Sequence, residues 1–103
     1  NYKSNQYLDF ERIRKVDGYV YYWTLSEYLE RTPLGHLSGK VYHQGDCKLF
    51  RRKILSDSYY EEPRAVGIPT NSSNKPDKEW SYPSPNSSDE VILNFVCALA
   101  IAL

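Results

Sequence analysis

The sequence lacks the features that several large classes of protein require. Its 13 basic and 13 acidic side chains cancel, so there is no net positive charge to attract nucleic acid or an anionic membrane. The longest apolar stretch, residues 91–103, is shorter than the about 20 residues that a membrane-spanning helix needs. We therefore expect no nucleic-acid partner and no transmembrane segment.

Metal ligands and catalytic motifs are also scarce. His36 and His43 are the only histidines, and a zinc site would need further ligands. Exposed or core-edge imidazoles are the simpler interpretation. A Ser-His-Asp set can be assembled from Ser38, His43 and Asp46, but no nucleophile-elbow motif surrounds any serine. The sequence predicts no metal, no cofactor and no enzyme.

The chain has no methionine and only two cysteines. Cys47 and Cys97 fit a single disulfide bridge in an oxidising compartment, although a pair of buried free thiols would give the same count. Without an initiator methionine or a leader segment, Asn1 is expected to begin a processed or trimmed chain. With 103 residues, we expect a single domain over residues 1–103.

Aromatic residues are abundant, with 10 Tyr, 2 Trp and 3 Phe, and such residues favour half-buried β-sheet surfaces. The strongest strand pattern covers residues 19–25. It places Tyr19, Tyr21 and Trp23 on one face, and it follows the turn signal Asp17-Gly18. Residues 7–10 and 37–42 are shorter strand candidates. Residues 47–60 are interpreted as one long strand or two short ones.

The last third of the chain changes character twice. Residues 63–85 are rich in Pro, Ser, Asn and Lys, which predicts a long, mobile surface loop anchored by a few apolar residues, Trp80 among them. Ser87 and Glu90 then match a capping box, which predicts a helix starting there, with Glu90 bonding back to the Ser87 amide.

The apolar positions of that predicted helix follow three- and four-residue spacing: Ile92, Phe95, Val96, Leu99 and Leu103. The end of the helix has no polar residue and no stop signal. Three interpretations remain open: burial within the monomer, a dimer contact, or an artificial end of the chain.

Four segments together resemble the surface-adhesin protein E family. They are residues 18–23 (Gly-Tyr-Val-Tyr-Tyr-Trp), residues 38–50 with Gly-Asp-Cys-Lys, residues 80–85 (Trp-Ser-Tyr-Pro-Ser-Pro) and residues 90–97. The resemblance implies an α+β fold: an antiparallel β-sheet with a C-terminal α-helix packed on one face and tethered by a Cys47–Cys97 disulfide. It also implies export to the periplasm or the cell surface of a bacterium and contact with host or environmental proteins.

The tyrosine-rich strands also predict an aromatic interaction face, because tyrosine buries a large area while keeping a polar tip. A purely structural role for these aromatics is the alternative. The candidate residues are Tyr19, Tyr21, Tyr22, Trp23, Tyr42, Tyr59 and Tyr60.

A basic cluster lies beside the aromatic candidates, at Lys48, Arg51, Arg52 and Lys53. Since successive strand residues point to opposite faces, only half of these cationic side chains can form one patch. A solvated sheet face paired with nearby acids is preferred over nucleic-acid or glycan binding.

The combined expectation is an exported, non-enzymatic binding or structural protein whose partner is another protein or a second copy of itself. The alternative is a small periplasmic enzyme or ligand-binding domain with a pocket beneath residues 63–85.

Overall fold

The computed structural model describes residues 3–102 and shows an α+β fold. An antiparallel sheet has the strand order β1-β3-β4-β5-β6, and β2 pairs with β3 alongside β1. The elements are β1 (Ser4–Leu8), β2 (Arg14–Val16), β3 (Tyr19–Tyr28), β4 (Ser38–Asp46), β5 (Arg51–Tyr60), β6 (Asn71–Ser73) and α1 (Ser88–Ala100). The predicted fold class is confirmed. The predictions for Asn1 and Leu103 lie outside the described residues.

The sheet has two faces that differ in what covers them. On β3, Val20, Tyr22 and Thr24 are buried, and they alternate with half-buried residues. Val20 and Tyr22 pack against α1, so we call the side of these three residues the helix face. The opposite side, which carries Tyr19, Tyr21 and Trp23, is the open face. This alternation confirms the two sets of residues that the sequence predicts.

The predicted strands have different bounds in the structure. β3 and β4 extend further than predicted, to Tyr28 and Asp46, and the other two differ for local reasons. The first strand is Ser4–Leu8 rather than residues 7–10, because the Asp9 side chain accepts a hydrogen bond from the Glu11 amide and starts a 3-10 turn. Residues 47–50 form a turn before β5. The Asp46 carboxylate accepts hydrogen bonds from the amides of Lys48 and Leu49 there, which bends the chain away from the strand direction.

Residues 63–85 are more ordered than the predicted loop. They include a 3-10 turn (Pro63–Ala65) and β6, which pairs with the outer edge of β5. Further along, the Asp77 amide donates to the Ile54 carbonyl, and Ser81 and Arg52 exchange two backbone hydrogen bonds. The segment thus covers the edge of β5, whose free amides and carbonyls would otherwise be unpaired.

The predicted helix start is confirmed, with one change in its capping. The Ser87 hydroxyl accepts a hydrogen bond from the Glu90 amide, at 3.2 Å. The Glu90 carboxylate accepts from the Asn86 amide, at 2.9 Å, and not from Ser87. The Ser87 amide instead donates to the Ser84 carbonyl. The prediction of a reciprocal bond to Ser87 is therefore wrong, because a local turn already satisfies that amide.

The helix buries a different stripe from the predicted one. Leu93, Val96 and Ala100 are buried against the sheet, whereas Phe95 is 44% exposed. Segment 91–102 is apolar almost all round, so spacing alone does not determine which side faces the core. Ile101 is 85% exposed, so burial of the tail within the monomer is only partial.

The rotation of the helix is set by two close contacts with β4. Cys97 is bonded to Cys47, which directly follows β4, with a Cα–Cα distance of 5.7 Å. Gly45 lies under Leu93: a Cβ at this glycine would be 3.0 Å from Leu93 Cδ1 and 2.9 Å from Val20 Cγ2. The predicted disulfide is confirmed, and the absent side chain of Gly45 lets α1 approach the sheet.

Polar contacts hold both ends of the helix. Near its start, Asp89 forms an ion pair with Arg52 on β5, at 2.7 Å. At its end, Lys15 Nζ donates to the Ala100 carbonyl, at 3.2 Å. Negative charge near the N-terminus and positive charge near the C-terminus both favour the helix dipole. The helix is therefore fixed on one face, and the open face is left without a helical layer.

Candidate protein-interaction face

The open face carries a row of aromatic side chains supplied by two central strands. Trp23 on β3 lies directly opposite Tyr42 on β4, and their ring centroids are 4.7 Å apart. Tyr21 packs against the same Tyr42, at 6.2 Å, and its hydroxyl accepts a hydrogen bond from Gln44 Nε2 at 3.2 Å. The row is held in one arrangement by these contacts, because neighbouring strands fix the spacing of the rings.

Trp80 extends this row from the edge segment. It stacks on Tyr19 with a centroid distance of 5.7 Å and an interplanar angle of 23°. The backbone bonds between Ser81 and Arg52 place the tryptophan there. The aromatic surface therefore runs from Trp23 across Tyr42 and Tyr21 to Tyr19 and Trp80.

Cationic side chains lie over both tryptophans. Lys40 Nζ is 5.2 Å from the centre of Trp23. Arg51 Cζ is 4.5 Å and Lys53 Nζ 4.9 Å from the centre of Trp80. These are cation–π distances, at which the ring attracts the charge while the remaining N–H groups stay available to another acceptor. The open face thus combines flat aromatic area with positive charge.

The acidic side chains that β3 and β4 place on this face are already engaged. Asp46 pairs with Arg51 at 2.9 Å, and the Glu27 carboxylate accepts a hydrogen bond from the Arg64 amide. Burial favours a raised pKa for Asp46, but hydrogen bonds from Arg51 and from the amides of Leu49 and Lys48 outweigh it and lower the pKa. Lys40 and Lys53 form no ion pair within the described part of the chain.

The structure changes the predicted membership of the face. Tyr22 is 1% exposed and belongs to the core under α1, and Tyr60 is 7% exposed at the end of β5. Tyr59 stacks on His36 and lies opposite Gly39, on the helix face. Tyr22 and Tyr59 are removed from the set because successive strand residues point to opposite faces, which places both on the helix face. Tyr60 is removed because it is buried. Tyr19, Tyr21, Trp23 and Tyr42 remain on the open face.

Two residues of the face were missed by sequence reasoning. Trp80 was identified only as an anchor of the loop, and Lys40 was not singled out. Trp80 reaches the face through pairing with a strand almost thirty positions earlier, which no local pattern reveals. The sequence did contain one indication: Trp80 is the lone tryptophan of a polar segment, and such a large side chain requires an apolar surface on which to pack.

The other sequence candidates are dispersed over the fold. Ser38 and Asp46 lie at opposite ends of β4, and His43 is in the core, where it stacks on Tyr22. The structure does not bring this Ser-His-Asp set together. Within residues 3–102, no group of three His, Cys, Asp or Glu side chains is placed to hold one metal ion, and no helix is long and apolar enough to cross a membrane.

Comparisons with known proteins agree on the family and the fold. A family model described as surface-adhesin protein E matches residues 1–98. The structure is similar to that of Haemophilus influenzae protein E in crystal form II, with a TM-score of 0.71 and 18% identity over 92% of this chain and 81% of that chain. At this identity, the structural likeness shows the shared fold alone. No curated protein matches the sequence.

Proposed function

Because this chain belongs to the surface-adhesin protein E family, we propose that it is an exported, non-enzymatic protein that binds other proteins through its open face. The family is one of surface adhesins, whose task is binding. The periplasm or the cell surface is the proposed location. The disulfide between Cys47 and Cys97 supports export, since such bonds persist in oxidising compartments.

The observation that carries this proposal is the aromatic row on the side of the sheet that α1 leaves uncovered, built from two groups of packed rings that meet at Tyr19 and Tyr21 on β3. Trp23, Tyr42, Tyr21, Tyr19 and Trp80 are ordered by contacts with one another. A partner that packs on them gains apolar burial without paying the full entropic cost of fixing loose side chains. Tryptophan and tyrosine are also enriched among residues that dominate protein–protein binding energy.

The charges on the face indicate an acidic partner segment. Lys40 lies four positions before Gln44 on β4, and Gln44 pairs with Lys53. At about 3.3 Å per residue, the two lysines are separated by about 13 Å along the strand. An extended segment with carboxylates four residues apart matches that separation. Complementary charge would speed association and select the partner.

The test is surface plasmon resonance of the purified protein against a panel of purified extracellular-matrix and serum proteins. The aromatic variant combines Trp23→Ala with Tyr42→Ala. Its control combines Phe10→Ala with Phe95→Ala, an exposed aromatic pair on the helix side with centroids 5.4 Å apart. Circular dichroism verifies that every variant is folded.

We expect the aromatic variant to weaken binding by at least about thirtyfold, as loss of two central aromatic contacts does in other interfaces. The Phe10/Phe95 control should bind like the wild type. The reverse pattern, with the control weakened and the Trp23/Tyr42 variant unchanged, would place the binding surface on the helix side and refute the proposal.

Charge is tested separately with Lys40→Gln combined with Lys53→Gln. The control is Lys75→Gln combined with Lys78→Gln, which removes the same charge from the exposed edge segment. The face variant should weaken binding by about tenfold and reduce its salt dependence. Equal effects of the two variants would show that only net charge matters and would refute an acidic contact at this face.

A further inference from the structure

A concave site lies on the helix face, separate from the aromatic row. It is a cleft of about 590 Å³ between the segment before β4 and the edge strand β6. The residues relevant here are Tyr28, His36, Asp57, Tyr59 and Asn71, all of which line it. The proposed protein-binding face uses none of them.

The wall of the cleft is held rigidly by a stack of side chains. His36 is 3% exposed, and its Nε2 is 2.8 Å from Asn71 Oδ1 and 3.0 Å from Thr70 Oγ1. The imidazole stacks on Tyr59 with a centroid distance of 5.4 Å and an interplanar angle of 24°. These contacts tie the wall to the strand that closes the cleft.

Tyr59 is also fixed from below, by a glycine. A Cβ at Gly39 would be only 2.7 Å from Tyr59 Cδ1 and 2.8 Å from its Cε1, so one edge of the ring packs against the bare backbone of β4. Any larger residue at position 39 would push the ring away. The aromatic surface of Tyr59 is thus shaped before any ligand arrives, which lowers the cost of binding.

Asp57 supplies an unpaired charge beside this ring. Its side chain is half-buried, and among residues 3–102 no cation lies within ion-pair distance of its carboxylate. Burial, followed by the negative charge of Asp57, raises the pKa of Tyr59. This carboxylate is therefore available as the counter-ion of a bound cation.

We propose that this cleft binds an organic ammonium ion, with the rings of Tyr28 and Tyr59 against the cation and the Asp57 carboxylate as its counter-ion. Tyrosine rings attract ammonium groups through their electron-rich faces. A carboxylate next to the rings adds the direct charge interaction. The ammonium group belongs either to a small free molecule or to a lysine side chain of a polypeptide.

The test uses isotope-labelled protein and nuclear magnetic resonance titration at constant ionic strength. The probes are choline, its neutral isostere 3,3-dimethylbutan-1-ol, and a capped Gly-Lys-Gly peptide. Choline should shift the amide signals of Tyr28, Asp57, Tyr59 and Asn71, and the neutral alcohol should bind at least about tenfold more weakly. Tighter binding of choline than of the peptide indicates a small ammonium ligand, and the reverse indicates a lysine side chain.

Asp57→Asn keeps the shape of the side chain and removes its charge. It should weaken the binding of the preferred cation by about tenfold, whereas the matched control Asp17→Asn, in an exposed turn, should bind like the wild type. The proposal is overturned if neither cation shifts these signals at about 10 mM, or if the neutral alcohol binds as tightly as choline. Equal binding by Asp57→Asn would also overturn it. The isostere comparison uses only wild-type protein, so it holds even if a variant fails to fold.

Discussion

Mild acid is expected to destabilise this protein through one buried imidazole, that of His43. The residue is 5% exposed, stacks on Tyr22 with centroids 4.7 Å apart, and has one ring nitrogen 2.8 Å from Thr24 Oγ1. Its other nitrogen, Nδ1, is buried and has no hydrogen-bond partner among the residues that the structure describes. Burial, followed by the nearby positive charge of Arg52, lowers the pKa of His43 to about 3.

The direction and size of the effect follow from proton linkage. In the unfolded chain His43 has an ordinary pKa of 6.5. Between pH 6.5 and about 3, therefore, this imidazole is protonated in the unfolded chain and neutral in the folded protein. Stability is therefore complete above 6.5 and falls as the pH decreases through this window. At pH 5, about 1.5 units below 6.5, the loss is about 2 kcal/mol, out of a typical total of about 5–15 kcal/mol.

Asp46 acts in a lower pH range and can be separated from this effect. Its pKa is lowered from an ordinary value of 3.8, so its contribution is present above 3.8 and is lost as the pH falls through the folded-state pKa. At pH 5 this carboxylate is ionised in both states. The interval between pH 7.5 and pH 5 therefore reports on His43 and not on Asp46.

The assay is urea denaturation of the wild type and of His43→Gln at pH 7.5 and pH 5. The wild type should lose about 2 kcal/mol between the two, whereas the glutamine variant, which can still bond to Thr24 and does not titrate, should lose much less. Equal losses in the two proteins would refute the reasoning. If the variant does not fold, the imidazole signals of wild-type His43 should show no titration above pH 4.5, and a midpoint near 6.5 would refute it equally.

The remaining predictions concern the contact between the helix and the sheet. Cys97→Ala should lower the free energy of unfolding by about 2–5 kcal/mol, and an unchanged urea midpoint would exclude a structural role for the Cys47 bridge. Gly45→Ala should cost about 1–3 kcal/mol, because its Cβ would overlap the core; an unaltered melting temperature would contradict that geometry. Leu93→Ala should cost about 2–5 kcal/mol and exposed Val91→Ala less than about 1 kcal/mol, so similar values in calorimetry would show that the buried stripe is wrongly assigned.

The local elements of the fold were largely predictable. The alternation of residues 19–25 correctly separated the two sides of β3, and the Ser87 cap correctly marked the start of α1. Both signals arise from interactions between residues a few positions apart, so a short window of sequence contains them. The main failure was the mobile surface loop predicted for residues 63–85. This segment is held in place by backbone pairing with β5, and such pairing depends on no particular side-chain pattern.

The candidate interaction face was only partly predictable. The sequence identified Tyr19, Tyr21, Trp23 and Tyr42. It also included Tyr22 and Tyr59, which point to the opposite side, and Tyr60, which is buried. Strand alternation alone could have separated neighbours such as Tyr21 and Tyr22. Whether the retained set binds a partner is a prediction that the proposed variants test.

By itself, the sequence determined the strand-rich composition, the helix with its cap, and two cysteines available for one link. Only the three-dimensional arrangement shows which side of the helix is buried, where Trp80 packs, and that no cation of residues 3–102 pairs with Asp57 beside Tyr59. The two kinds of feature differ in the sequence separation of the residues that interact. Periodicity and capping act between residues a few positions apart, whereas the buried side of a largely apolar helix is chosen by contacts with Gly45 and Cys47, some fifty positions away.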